Sequence, residues 1–219
     1  MNNQNNQSPQ SIPSPQSPQS PQSPRSQKLT FLPNHGHYRN LRVYQVAEII
    51  YDITYHFAHT YLSKGDRTVD QMIQAARSGK QNIAEGNQAA TTSSETEIKL
   101  TNVAKASLEE LLDDYEDYLR VRHLEQWGPL HPRYEAMRTY ARSESIKSTY
   151  AQHIRHMNDE EIANLSITLL HQASVMLQRL LDTMQHRFIT EGGIKERMFK
   201  ARTDYRNVQN NQNGKEEKK

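Results

Sequence analysis

Apolar positions from Leu41 onward recur every three or four residues, which is the spacing of one face of an α-helix. The first stripe comprises Val43, Val46, Ile50, Ile53, Phe57 and Tyr61. Gly65 interrupts the pattern, and Asp66 fits the N-cap of a second helix. We expect that helix to end near Glu85, with Gly86 at its C-cap. No stretch sustains the period-two alternation of a half-buried strand.

A third helix is predicted after a short polar loop. Ser94 and Glu97 match a capping box at its start, and Pro129 and Pro132 require it to end before them. Its apolar stripe comprises Leu100, Ala104, Leu108, Leu111, Tyr115 and Leu119. Residues 134–157 carry less regular apolar positions, which predict one or two shorter helices.

The last long stripe starts after a second capping-box pattern, formed by Asn158 and Glu161. It comprises Ile162, Leu165, Leu169, Ala173, Met176, Leu180, Met184 and Phe188. Gly192 and Gly193 stop this helix, and a short final helix is predicted from Ile194 to Arg206. The apolar side of the final helix comprises Ile194, Met198, Ala201 and Tyr205.

These elements predict an all-α protein. Long helices joined by short loops indicate an antiparallel up-down four-helix bundle over residues 41–190, with an additional short C-terminal helix over residues 191–206. Residues 1–40 hold seven of the nine prolines and repeat a Ser-Pro-Gln unit, so we predict a disordered tail, with a proline-motif ligand as the alternative. Residues 207–219 are polar and are predicted to be a second disordered tail.

No run of the chain approaches the roughly 18 apolar residues of a membrane span, and the N-terminus has no pattern of basic then apolar residues. We therefore expect a cytoplasmic protein that does not contact membranes. Disulfides and thiolate chemistry are excluded because the chain contains no cysteine.

Glycine inside the second helix needs an explanation, because it costs about 1 kcal/mol relative to alanine. Gly79 falls on the predicted buried face, so we assign Ala76, Gly79, Ile83 and Gly86 to helix packing. The alternative for Gly79 is a backbone opening for a ligand. Lys80 lies at one edge of the same face. Either its stem packs on the bundle and its ammonium reaches a carboxylate, or it is a cation in a groove between helices or subunits.

Basic residues are concentrated locally, although the net charge of the chain is only +2. The final helix carries five bases, and a basic amphipathic helix can contact phosphates. The alternative is that it docks on the bundle with its bases solvated. The candidate nucleic-acid-binding residues are Lys195, Arg197, Lys200, Arg202 and Arg206 in this helix, and Arg77 and Lys80 in the second. A basic connector, which could extend the same surface, comprises Arg133, Arg138, Arg142, Lys147 and Arg155.

The third helix carries an acidic face that could suggest a metal centre, formed by Glu110, Asp113, Asp114 and Asp117. A carboxylate centre in a bundle also uses a Glu-x-x-His motif, which this chain lacks. A solvated face or salt links to basic neighbours is the favoured interpretation. Local spacing suggests no nucleophile–base–acid set. We therefore expect a protein without a metal, a cofactor or an enzymatic activity.

Two segments, residues 71–86 and 93–120, resemble the family of 23S rRNA intervening-sequence proteins. The matching positions are Ala75, Ala76, Arg77, Ser78, Asn82 to Gly86, Ala104, Ser107, Leu108, Glu110 and Leu111. Residues 188–206 resemble a C-terminal suffix segment found in one branch of the family. The chain departs from the family pattern at Gly79, where an apolar residue is usual, and at Lys80.

The resemblance implies an up-down four-helix bundle that assembles into a homo-oligomer, often a pentameric ring. The family includes the accessory variability protein of diversity-generating retroelements, which is thought to bind nucleic acid and a reverse transcriptase. The partners implied are therefore a second copy of the chain, RNA or DNA, and a reverse transcriptase or another protein. Our expectation is a non-enzymatic oligomeric adaptor with weak, sequence-independent nucleic-acid binding. The alternative is a structural protein–protein interaction module.

Overall fold

The computed structural model describes residues 37–216, with side chains to residue 210. Within this range the protein is helical and contains no strand, which confirms the predicted all-α class. The helices are a short 3-10 turn (Tyr38–Asn40), α1 (Arg42–Tyr61), α2 (Arg67–Ala89), α3 (Ser94–Val121), α4 (Tyr134–Arg142), α5 (Ile146–His153), α6 (Asp159–Glu191) and α7 (Ile194–Glu216). The Ser-Pro-Gln repeats and the last three residues lie outside the described range.

The core lies among the four longest helices that precede α7. Helix α1 packs against α2, α2 against α3, α3 against α6, and α6 against α1. Within this core, the rings of Phe57 and Tyr115 pack at an interplanar angle of 54°, with centroids 5.0 Å apart. The Tyr118 hydroxyl donates to Asp159 at 2.9 Å, which places the end of α3 beside the start of α6. Ala141 and Ile146 add α4 and α5 to this core.

Two helix starts have the caps that the sequence predicts. The Asp66 carboxylate accepts a hydrogen bond from the Thr68 N–H at 2.9 Å, directly after Gly65 with a φ of +88°. At the start of α6, Asn158 and Glu161 form a complete capping box. These side chains satisfy N–H groups that have no partner within the helix.

The predicted end of α2 is wrong. The helix continues through Gly86 to Ala89, and Ala90 is its C-cap. Gly86 is buried instead, and a Cβ atom at this position would lie 3.3 Å from the backbone oxygen of Glu97 and 3.2 Å from Thr101 Oγ1. The glycine therefore permits a close approach of α3 rather than ending α2, which is the packing role also assigned to it.

The predicted cap of α3 is displaced by one residue. The N-cap is Ser93, whose hydroxyl accepts from the Thr96 N–H at 3.1 Å, while Ser94 is buried in the first turn. Glu97 does not bond back to the cap, because its carboxylate is buried and pairs with Arg187 of α6. Tertiary pairing has replaced the expected capping box.

Gly79 lies at a close contact between α2 and α3. It is buried beside Ala76 and Ile83, and a Cβ atom built on it would lie 2.4 Å from Leu108 Cδ2 and 2.7 Å from Leu108 Cγ. Those separations are shorter than van der Waals contact, so a side chain at residue 79 cannot coexist with Leu108 in this position.

Helix α7 is longer than predicted. It continues ten residues past Arg206 to Glu216, into the segment that was expected to be a disordered tail. Neither proline nor glycine interrupts residues 194–213, so intrahelical hydrogen bonding can continue through this polar stretch. None of the described side chains of α7, up to residue 210, belongs to the core. None of the described helices combines the length and apolarity that crossing a membrane requires.

Candidate nucleic-acid interface

Three basic side chains of α7 lie along one line of the helix. At 100° per residue, Lys195, Arg202 and Arg206 fall within about 40° of arc. All three are exposed, and none pairs with a carboxylate in residues 37–210. We call them the α7 basic line. Their charges are directed to solvent and remain available to an anionic partner.

The other two basic candidates of α7 lie elsewhere. Lys200 is exposed on the opposite side of the apolar stripe. Arg197 is mostly buried against the end of α6, with Nη1 3.9 Å from a carboxylate oxygen of Glu191. Its Nε atom is buried and has no hydrogen-bond partner within the described range. Arg197 therefore helps to join α6 to α7 and does not extend the basic line.

An exposed apolar stripe runs beside the α7 basic line. Met198 is 42% exposed and Tyr205 is 47% exposed, although an apolar helix face is usually buried. Phe199, on the other flank of the basic line, is 74% exposed. Sequence reasoning missed Phe199 because it lies outside the helical stripe. An aromatic residue among basic residues is the signal that could have identified Phe199, since aromatic rings stack on the bases of nucleic acids.

The candidates of α2 belong to a different surface. Arg77 is exposed on this helix. Lys80 is half-buried, and its ammonium lies 4.0 Å from the ring centroid of Tyr51 on α1. The stem of Lys80 packs on the bundle as one interpretation predicted, but its partner is an aromatic face and not the expected carboxylate.

Some residues of the basic connector form ion pairs with carboxylates, and others do not. Arg133 pairs with Glu161 at the start of α6, and Arg138 donates to Glu135 at 3.0 Å. Lys147 also has a carboxylate partner, Glu144 at 3.0 Å. Arg142 and Arg155 are exposed and form no ion pair within residues 37–210. The connector therefore does not present a continuous row of uncompensated charge.

The acidic face of α3 is partly neutralised by its own neighbours. Asp117 of this face pairs with Arg120 at 2.6 Å, and Glu109, which precedes the face on the same helix, pairs with Lys105 at 3.3 Å. Burial, together with the nearby carboxylates of Glu110, Asp117 and Asp113, raises the pKa of Asp114 to about 6. Within the described residues, no group of three or more His, Asp or Glu side chains is arranged to hold a metal ion.

The residues therefore separate into two kinds of site. Helix α7 combines basic side chains without carboxylate partners in the described range, an exposed apolar stripe and an exposed aromatic ring, whereas the basic side chains of α2 and the connector are dispersed or paired.

Comparison with protein-family models, with curated proteins and with solved structures found no match.

Proposed function

We propose that this protein is a non-enzymatic helical-bundle adaptor that binds RNA or DNA through α7 without reading its sequence. The observation that carries the proposal is the α7 basic line, which is exposed and has no carboxylate partner within residues 37–210, on a helix whose described side chains lie outside the core. Lysine and arginine side chains on an α-helix can neutralise the phosphates of RNA or DNA of any sequence, because every phosphate carries the same charge.

The spacing of the basic line suits a phosphate backbone. At 1.5 Å per residue, Arg202 and Arg206 are about 6 Å apart along the helix axis, and Lys195 is about 10 Å from Arg202. Phe199 lies between Lys195 and Arg202 along the chain and supplies an aromatic surface for an unpaired nucleic-acid base. A flexible single strand can place successive phosphates at these distances, so single strands are the preferred ligand.

The scaffold that we propose is an up-down antiparallel four-helix bundle over residues 41–190, formed by α1, α2, α3 and α6. Contacts between the end of one helix and the start of the next support it, as between Gly86 and Glu97. The family resemblance supports assembly into a cytoplasmic homo-oligomer, such as a pentamer, with a reverse transcriptase as a further partner. Several α7 helices on one assembly would raise avidity for a strand that reaches more than one of them.

Fluorescence anisotropy with a labelled 20-nucleotide RNA tests the proposal. Neutralisation of three phosphates of a single strand should weaken the affinity by roughly 20-fold between 50 and 200 mM salt. Charge reversal by Lys195→Glu, Arg202→Glu and Arg206→Glu together should abolish the binding. The matched control reverses three exposed, unpaired bases on other helices or loops, in the variant Lys64→Glu, Arg67→Glu and Lys99→Glu.

The control variant has the same net charge as the test variant, and we expect it to retain most of the affinity. Equal loss in both variants would mean that only the overall charge matters, and the assignment to α7 would be wrong. Absence of binding by the unaltered protein at 50 mM salt would contradict the proposed function itself.

The exposed apolar stripe of α7 favours a second candidate function, a structural module that docks another protein. An amphipathic helix can lay such a stripe into a groove of its partner. Replacing Met198 and Tyr205 with glutamine separates the two functions. The change should leave RNA binding largely intact under the first proposal and should disrupt association with a protein partner under the second.

A further inference from the structure

A cleft of about 640 Å³ lies beside the basic connector, away from the α7 basic line. Helix α4 forms one wall, α6 forms the other, and residues 126–128 close one end. Its volume falls within the range of about 300 to 1,000 Å³ that is typical of small-molecule sites. The cleft is therefore large enough for a ligand of nucleotide size.

The charge of the cleft has one sign. Three arginines line it, Arg138 and Arg142 from α4 and Arg179 from α6, and no aspartate or glutamate does. Arg142 and Arg179 are exposed and have no carboxylate partner within residues 37–210. Guanidinium groups bind phosphates with paired hydrogen bonds, so this arrangement favours a phosphorylated ligand.

The wall formed by α6 is suited to a planar, uncharged group. Ile167, Val175 and Met176 give it an apolar surface, and Val175 is 53% exposed although it is aliphatic. Beside them, the Oε1 atom of Gln172 is buried without a hydrogen-bond partner in the described structure. A buried amide without a partner is costly, and a ligand that carries ring or exocyclic N–H groups would satisfy it.

We propose that this cleft binds a nucleoside phosphate. Arg142 and Arg179 would hold the phosphates, and the base would lie against Val175 and Met176 within reach of the Gln172 amide. The ligand is either a free nucleotide or one nucleotide of a strand, because both present the same chemistry. This site does not rest on the proposed binding of nucleic acid by α7, since the two share no residue.

Binding in the cleft can be followed by the fluorescence of a tryptophan that lines it. Trp127 is the only tryptophan in the chain and lines the cleft. Its backbone N–H donates to Asn164 at 2.7 Å and its indole N–H donates to Glu160 at 3.0 Å, so the ring is held in one position. A ligand that enters the cleft should change the emission of Trp127, and calorimetry supplies an independent affinity.

The test is titration of the full chain with adenosine triphosphate, followed by calorimetry and Trp127 emission. The double variant Arg142→Gln and Arg179→Gln should weaken binding at least about tenfold, because it removes two charge-assisted contacts. The matched control removes two exposed, unpaired bases elsewhere, in the variant Arg155→Gln and Lys64→Gln, and should change the affinity less than about twofold.

A second pair of variants acts on the wall of the cleft. Val175→Glu places a carboxylate in it and should also weaken binding at least about tenfold. Val103→Glu adds the same charge at a valine of α3 that is 41% exposed and lies outside the cleft, and should have no effect. Unchanged melting temperatures would show that both valine variants remain folded.

The choice of probe separates the two sources of the ligand. Tight binding of adenosine triphosphate indicates a free nucleotide, whereas binding of an adenine oligonucleotide alone indicates a nucleotide within a strand. Inorganic triphosphate should bind at least about tenfold more weakly than adenosine triphosphate. Equal binding of those two would overturn the role of the base, and binding of neither nucleotide nor oligonucleotide would overturn the site.

Discussion

Helices α2 and α7 have the same length, 23 residues, and very different surroundings. Helix α2 lies between α1 and α3 and buries its inner face, including Met72 and Gly79. Helix α7 also carries apolar residues at helical spacing, but Met198 and Tyr205 on that stripe are exposed. An apolar stripe therefore predicts a helix reliably and burial only where neighbouring helices cover it.

The two helices differ in the neighbouring helices that pack against them. Helix α2 is linked to its neighbours through short loops at both ends, which hold α1 and α3 against it. Helix α7 follows α6, which extends beyond the first turn of α3, where Arg187 pairs with Glu97. In the part of the chain that the structure describes, α7 packs extensively against no other helix. Substitutions in α2 should therefore change stability, and substitutions in α7 should change binding.

The largest change in the free energy of unfolding is expected for substitution of Gly79. Gly79→Leu should destabilise the protein by about 3 kcal/mol or more, because even the first added atom overlaps Leu108, which is itself buried. Urea denaturation measures the loss. Gly128→Ala is the control, since a Cβ atom there meets nothing within 4 Å.

A smaller substitution at Gly79, combined with a change of Leu108, tests whether Leu108 is the residue that the added side chain overlaps. Gly79→Ala should cost about 1–2 kcal/mol, because the steric overlap exceeds the gain of about 1 kcal/mol in helix propensity. The same change should cost less when Leu108 is already alanine. An unchanged stability and assembly size for Gly79→Leu would contradict the close contact between α2 and α3.

The next effect concerns the buried ion pair between α3 and α6. Arg187→Met should cost about 2–3 kcal/mol at pH 7, because it leaves the buried Glu97 carboxylate without its cation. Burial already raises the pKa of Glu97, and Arg187 opposes that rise. The loss should therefore shrink as the pH falls toward 4 and Glu97 gains a proton.

Denaturation at pH 7 and pH 4 measures this difference, with Arg155→Met as the control because Arg155 is exposed and unpaired. A loss of stability of the same size at both pH values would indicate that Arg187 acts through packing and not through its charge.

A smaller effect of opposite sign is expected at Asp114. Its pKa is raised to about 6 in the folded protein, above its ordinary value of 3.8, so the folded state binds the proton more tightly and stability falls as the pH rises through this window. Asp114→Asn should stabilise the protein by about 1 kcal/mol at pH 7, after allowance for solvent screening, and should change little at pH 4.

Melting temperatures at pH 4, 5 and 7 test the Asp114 prediction. Asp113→Asn removes a neighbouring exposed carboxylate and should produce a much weaker dependence on pH. If both variants showed the same profile, the general acidity of the face would be responsible and not the partial burial of Asp114.

The smallest effect on stability is expected in α7. A chain that ends at Gly193 should have a free energy of unfolding within about 0.5 kcal/mol of that of the full protein, because no side chain of α7 up to residue 210 belongs to the core. Urea denaturation of both chains gives the difference. A loss of several kcal/mol would show that α7 is as much a part of the fold as α2.

The sequence was sufficient for features that depend on local pattern. It predicted the helical class, the buried face around Gly79 and the caps Asp66 and Asn158, because each depends on residues within one or two turns. It misplaced the cap of α3 because Ser94 matches the capping-box pattern with Glu97, whereas the actual cap, Ser93, has Thr96 at the corresponding position. Only the pairing of Glu97 with α6 decides between them.

Features that depend on distant segments could not be predicted. The C-cap assigned to Gly86 failed because a glycine that ends a helix and one that admits a neighbouring helix have the same local sequence. The cleft was missed for the same reason. Its arginines, Arg142 and Arg179, lie on different helices, and no periodicity along the chain brings them together.

The central claim is that the α7 basic line binds nucleic acid by neutralising phosphates. The most direct measurement is the slope of log K against log salt concentration for a single-stranded RNA. Three neutralised phosphates predict a slope of about −2 for each bound copy. The variant Lys195→Gln, Arg202→Gln and Arg206→Gln should bring the slope close to zero. The same slope in both proteins would contradict the claim.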